Sequence, residues 1–290
     1  MLADPAAITQ LKAAAEELSA GLSTLLGQNV SASCCGGSKT QPAGTLVVKV
    51  TPKLPKLDVG DEGYALGRDG SGNVMLMAGS PAGALYGSFR LLGLLQRGEA
   101  VPGTVDKPET SIPAMDLRIW DFWDNLDGTI ERGFAGASLI WPMALNKRMH
   151  RRWDDASAAK VEQMARLLIS CGLNGVVLNN VNACGKNAEL LTPESLGSVA
   201  KTAYPIFQKW GLKVYIVPCY AAPMSPGMGA PPLKGVDPLD PLVIAWWKNK
   251  VDAITELMPA FGGFTVKADS EGNQVRSYRL RAVRSYVYGF

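Results

Sequence analysis

Histidine is nearly absent from this sequence: His150 is alone in 290 residues, set among Lys147, Arg148, Arg151 and Arg152. A His-based catalytic triad or a multi-histidine metal site is therefore excluded as a first reading. Cysteine is scarce and odd in number. Cys34, Cys35, Cys171, Cys184 and Cys219 show no metal-ligand spacing, so neither a bound metal nor another cofactor is expected. No apolar run approaches the ~20 residues of a membrane helix. The N-terminus lacks a basic n-region with an apolar core, so no membrane partner is expected and the chain as written reads as cytoplasmic, with secretion open for a full-length form. Acidic residues are missing after Glu271, where Arg276, Arg279, Arg281 and Arg284 follow; without those four, 25 basic residues face 26 acidic ones. The net charge of +3 thus belongs to the tail and does not argue for a nucleic-acid partner.

What is present is a globular composition, 47% hydrophobic and 19% charged, with chain enough for one or two domains. Asp4-Pro5 is an N-cap followed by Pro at N1. Ile8, Leu11, Leu18, Leu22 and Leu25 then recur at helical spacing until Gly27. Strand-like runs at 46–50, 64–66 and 74–78 are separated by Gly/Asp/Asn turns. Ser80-Pro81 opens a second helix whose buried stripe is expected at Leu85, Phe89, Leu92 and Leu95. This alternation predicts a small α/β domain, and 101–111 (VPGTVDKPETS) reads as a linker.

From Ala114 a β-then-α rhythm sets in. Strands are expected at 115–119 (MDLRI), 175–178 (GVVL), 214–217 (VYIV) and 264–266 (FTV). The helices between them run over 156–171, from Thr192-Pro193 to Gly211, and from Asp240-Pro241, the last with a stripe at Ile244, Trp247, Val251, Ile254 and Leu257. Four such periods predict the first half of a (β/α)8 TIM barrel, incomplete at its C-terminus, with domains at 1–108 and 109–290.

Polar residues follow the carboxyl end of each expected strand: WDFWDNLDGTIERG (120–133), NNVNA (179–183), 218–223 and KADSE (267–271). That end carries the active site in such barrels. Lys267, Asp269 and Glu271 share one face if the chain stays extended; a polar loop and a simple Lys267–Glu271 ion pair are the plainer readings. WDNLDG could equally be a turn knitted by Asp and Asn side chains. Trp120, Phe122, Trp123 and Trp141 are either core or platforms for sugar rings, and Trp246 and Trp247 read as core or domain interface.

Several long stretches in order resemble the family 67 α-glucuronidases, which remove (4-O-methyl-)glucuronic acid from the non-reducing end of xylo-oligosaccharides. They are DEGYALG (61–67), ALYGSFRLLGLLQ (84–96), WDNLDGTIERGFAG (123–136), GLNGVVLNNVNA (172–183), DPLDPLVIAWW (237–247) and FGGFTVKADSEG (261–272). The resemblance implies that Glu271 is the general acid and that Lys267 pairs with the uronate carboxylate. Trp141 would line the glucuronate pocket, and Asn180, Asn182, Asp124, Asp127 and Arg132 would lie nearby. It further implies a glucuronoxylo-oligosaccharide substrate, an inverting mechanism with carboxyl groups ~6.5–9.5 Å apart, and a homodimer as an option for the full-length family. Asp269 would raise the pKa of Glu271 and Lys267 oppose it. The resemblance stops after Gln274, and in the family the carboxylates that act on water lie downstream of that point. The chain is therefore expected to lack the catalytic base, with a catalytically inactive uronate-binding or relic fragment as the alternative. A hexosaminidase-like hydrolase is disfavoured, because Ser270 separates Asp269 from Glu271 where that class uses an adjacent pair.

Overall fold

The computed structural model describes residues 5–33, 41–52, 57–131, 135–141, 155–178 and 189–265. They divide into two compact units. One comprises the described residues up to Arg118 with Arg166–Leu173 and Gln208–Gly211; the other takes the remainder.

In the first unit, α1 (Pro5–Leu26) ends at Gly27, whose φ of 64° suits a residue without Cβ. Strands β1 (Leu46–Val50), β2 (Tyr64–Arg68), β3 (Val74–Ala78), β4 (Gly103–Thr104) and β5 (Lys107–Ser111) form a mixed sheet in the order β1-β3-β2-β4-β5. Helix α2 (Pro81–Gln96) begins where the Ser80 side chain accepts from the N–H groups of Ala82 and Gly83. It packs on β1, β2 and β3 and also against α1.

Packing on two sides changes the expected stripes. Of Leu85, Phe89, Leu92 and Leu95 only Leu85 is fully buried, alongside Gly83, Gly87, Leu91 and Leu94. Small residues set the sheet-facing approach: a Cβ on Gly83 would lie 2.3 Å from the Gly63 carbonyl oxygen, and one on Gly87 2.2 Å from Leu76 Cδ1. Leu92 instead meets α1 at Gly21. On α1 the buried side chains are Ala13, Ala14, Glu17, Leu18 and Leu22, whereas Ile8, Leu11 and Leu25 are exposed. Arg166 donates to the buried Glu17 through Nε at 2.7 Å and also through Nη2.

The expected linker at 101–111 is corrected. Its turn residues make a hairpin, and β5 pairs antiparallel with β2, Tyr64 opposite Ser111. Arg90 secures it by donating to both oxygens of Glu109 at 2.8 and 3.1 Å.

In the second unit, β6 (Ile119–Asp121), β7 (Gly175–Leu178), β8 (Lys213–Ile216) and β9 (Gly263–Phe264) form an all-parallel sheet in chain order. Helix α3 (Asp155–Ser170) precedes β7. Between β7 and β8, α4 (Pro193–Ser198) passes through a π-helical stretch, Val199–Ala203, into α5 (Tyr204–Lys209); α6 (Pro241–Leu257) precedes β9. The widening is explained by Pro205, which has no N–H to give: the preceding Tyr204 N–H reaches back to Val199 O. Among the described residues no helix is long and apolar enough to cross a membrane.

The expected first strand, 115–119, is also corrected. Met115 and Leu117 alternate as a strand would, yet they are 65% and 58% exposed, and the ladder to β7 starts only at Ile119. Earlier backbone is engaged otherwise: the Met115 carbonyl accepts from Arg118 Nη1 at 2.6 Å. On α6 the buried residues are Val243, Trp246, Trp247, Lys250 and Ile254, while Ile244 and Leu257 are exposed. The stripe is rotated toward the two tryptophans, whose rings meet edge-on at 4.8 Å.

Lys250 is buried and donates to the carbonyls of Leu191 at 2.9 Å and Met228 at 2.8 Å, with Nζ 5.3 Å from the Trp246 ring centre. Burial pushes its ammonium pKa down. Lys250→Met should lower stability by roughly 2–4 kcal/mol by leaving two loop carbonyls unanswered, read from the urea midpoint. In α2, Gly83→Ala should destabilise by about 1–3 kcal/mol despite alanine's helix preference, because its Cβ strikes backbone. Gly93→Ala, which meets only Arg97 Nη1 at 3.4 Å, should gain up to about 1 kcal/mol. Equal shifts for the two alanines would refute the close-approach account.

Candidate functional site

All four strands of the second sheet point the same way, so their carboxyl ends lie along one edge. The ladder continues one residue past three of them: Phe122 N–H donates to Val177 O, Val217 to Leu178 O and Thr265 to Ile216 O, at 3.0–3.2 Å. The segments leaving this edge are those in which the sequence concentrates its polar residues.

The segment after β6 is the best defined. Asp124 lies two residues past buried Phe122 and is itself only 6% exposed. Burial raises its carboxyl pKa, opposed by hydrogen bonds from the Ser138 side chain and the Leu139 backbone. The Ser138 hydroxyl oxygen also accepts from the N–H groups of Ile140 and Trp141 at 3.1 and 2.7 Å. Ser138 thereby couples the buried carboxylate to the segment that carries Trp141, itself 5% exposed. Trp120 and Trp123 are about half exposed, and the Trp120 ring stands edge-on to Phe122 at 6.4 Å.

The turn itself is knitted by side chains, the plainer of the two readings of WDNLDG. Asp127 Oδ1 accepts from Thr129 N–H at 3.1 Å and its hydroxyl at 2.6 Å. Asn125 Nδ2 donates to Thr129 Oγ1 at 2.8 Å and to the Glu131 carbonyl at 2.7 Å. Glu131 has a φ of 52°, unusual for a residue with a side chain. Asn125 therefore holds the strained backbone that immediately precedes Arg132.

Of the residues singled out in the sequence, the structure brings Asp124 and Trp141 together through Ser138. Glu271, Lys267, Asn180, Asn182 and Arg132 lie outside the described residues. Ser138 and Asn125 were missed. Their signal was local, a serine and an amide at the ends of short turns, and many such residues act only as turn formers. Gly262 and Gly175 make room in the sheet: a Cβ on Gly262 would lie 2.7 Å from the Tyr215 ring, and one on Gly175 2.9 Å. Among the described residues no group of three His, Cys, Asp or Glu could hold a metal ion, and neither Cys171 nor Cys219 is in a disulfide.

A carboxyl group whose folded pKa is raised supports the fold below its unfolded pKa, about 3.9, and loses that contribution as pH rises through the folded value. Asp124→Asn keeps an acceptor for Ser138 and Leu139 while removing the charge. The variant should be more stable than the wild type at pH 7, with the difference disappearing below about pH 4. Urea unfolding at the two pH values measures this, and a wild type more stable than the variant at pH 7 would overturn the assignment.

Known proteins supply an independent line. Residues 2–91 match the Glycosyl hydrolase family 67 N-terminus, and residues 101–278 match the Glycosyl hydrolase family 67 middle domain. A probable alpha-glucuronidase A of Aspergillus terreus is 36% identical over 270 residues, covering 90% of this chain and 29% of its own length. An alpha-glucuronidase of Hypocrea jecorina is 36% identical over 276 residues, covering 90% and 30%. The chain thus spans under a third of these curated relatives. Among solved structures, a GH138 enzyme targeting pectin rhamnogalacturonan II superposes with TM-score 0.55 at 16% identity, over 89% of this chain and 37% of that one. A GH115 4-O-methyl-alpha-glucuronidase with specificity for decorated arabinogalactans gives 0.52 at 13% identity, over 84% and 32%. Those two likenesses concern the fold alone.

Proposed function

Because the chain belongs to glycoside hydrolase family 67, we propose that it carries the N-terminal α/β domain and the first four strands of the barrel of an α-glucuronidase acting on glucuronoxylo-oligosaccharides. The observation that carries this reading is the 36% identity to alpha-glucuronidases over 90% of the chain, with the family's two segments in order. The parallel sheet in chain order supports it, because a (β/α)8 barrel begins in that way and places its chemistry at the strands' carboxyl ends.

In this proposal β9 delivers Lys267 and Glu271 to that edge. Lys267 meets the uronate carboxylate as a point charge, and Glu271 protonates the leaving xylose oxygen. Asp124 contributes a desolvated acceptor for sugar hydroxyls, and Trp141, Asn180, Asn182 and Arg132 complete the pocket. Inversion needs a second carboxylate that activates water from the opposite face; we place it outside these 290 residues. The same division favours the second reading, a uronate-binding unit without turnover.

Calorimetric titration with glucuronate and xylose, together with glucuronate release from aldouronic acids, tests both parts. Glucuronate should bind saturably and more tightly than xylose. Lys267→Ala should remove the tighter event, whereas Glu271→Gln should leave binding in place. Release by the 290 residues alone should stay near background. Turnover at ordinary enzyme rates would refute the placement of the base, and equal affinity for glucuronate and xylose would refute the uronate pocket.

A further inference from the structure

The first unit contains a cleft of about 400 Å³. One wall is a single face of α2 and its C-cap: Tyr86, Arg90, Gly93 and Arg97 recur at intervals of four, three and four residues. Arg118 and Glu62 stand among the residues of the remaining lining. Three arginines and one glutamate line it, and Glu109 and Glu99 pair with Arg90 and Arg97 from outside the lining, so what the cleft offers an anion is directed N–H donors rather than net charge.

The donors divide into two kinds. Arg118 is committed to the fold, giving to Gly172 O, Met115 O, Glu62 Oε2 and the Tyr86 hydroxyl at 2.6–3.2 Å. Tyr86 in turn donates to Leu173 O at 2.9 Å, and burial pushes its pKa up to about 12, so it stays a protonated wall. Arg90 and Arg97 are spent on one edge only. Each uses Nε and Nη2 on a glutamate, Glu109 and Glu99 respectively. Among the described residues Nη1 of each remains for a ligand, and a guanidinium already paired on one edge is held in place for recognition on the other. Gly93 keeps the floor between them open, since its added Cβ would meet only Arg97 Nη1, at 3.4 Å.

We propose that this cleft binds a carboxylate-bearing sugar of one or two rings. The Nη1 groups of Arg90 and Arg97 would take the carboxylate, and Glu62 would accept from ring hydroxyls. The volume lies at the small end of ligand sites, enough for such a molecule. A cleft for a bare anion would gain nothing from a carboxylate in its wall. The choice of a sugar acid rests on the uronate reading above; the cleft's preference for an anion does not.

The test separates this site from the one assigned to Lys267 by working in the Lys267→Ala background. That protein should still bind glucuronate saturably, with xylose at least about tenfold weaker. Gly93→Leu fills the floor with a good helix former, and Arg97→Gln alters an exposed side chain. Both should fold and weaken glucuronate about tenfold or more. Cys171, a free exposed thiol in the cleft lining, gives a second readout: glucuronate should slow its alkylation in Lys267→Ala but not after Arg97→Gln. Absence of saturable binding in the Lys267→Ala background overturns the proposal while leaving the Lys267 pocket intact. Unchanged affinity in both cleft variants, or competition by inorganic phosphate at the same concentration as glucuronate, overturns it too.

Discussion

The second unit depends on one constraint, the common direction and register of four very short strands. None exceeds four residues, and β9 has two. A slip of one position would reverse which side chains face which side of the sheet. Register pairs Trp120 with Val176 and Val214, and Asp121 with Val177, Tyr215 and Gly263, so the two rows face opposite sides. Tyr215 locks the arrangement, its ring crossing Gly175 and Gly262, where any Cβ would collide. Gly263 adds a backbone requirement, a φ of 132° that side-chain-bearing residues rarely adopt. The start of each polar segment follows from that register, which is why residues distant in sequence leave the sheet along one edge.

Much of this was legible before any coordinates. Ser80, Thr192 and Asp240 each precede a proline and a helix, and each caps its helix through its own side chain. Gly172 and Gly211 stop theirs at positive φ. The illegible parts share a cause: periodicity reports large apolar side chains, whereas several close contacts here are made by their absence. Gly83 and Gly87 bring α2 against the sheet, and Gly21 admits Leu92, so a stripe drawn through leucines and phenylalanine misplaces the face. The stretch 101–111 failed for another reason. Its composition is that of a turn, and pairing with β2 is a long-range hydrogen-bond pattern to which composition is blind.

The site divides in the same way. The resemblance pointed to Asp124 and Asp127 alike, and the sequence could not separate the two, three residues apart. The structure does: Asp127 spends its oxygen on Thr129 within the turn, while Asp124 is withdrawn from water and linked to Ser138. Those are different physical roles for the same side chain, and only burial distinguishes them.

Burial alone still does not mark a functional group, as a comparison of Asp124 with Lys250 makes clear. Each is a buried ionisable residue whose charged form is disfavoured by desolvation. Lys250 answers its burial with two backbone carbonyls and an aromatic face, most of what an ammonium can use, and those carbonyls belong to segments that need fastening. Asp124 has about four acceptor directions and, among the described residues, is met by one hydroxyl and one N–H. A carboxylate so sparsely answered costs stability. The lysine is thus a fastener, whereas the aspartate keeps acceptor directions that the described residues leave unused, and the difference lies in how completely each buried charge is satisfied.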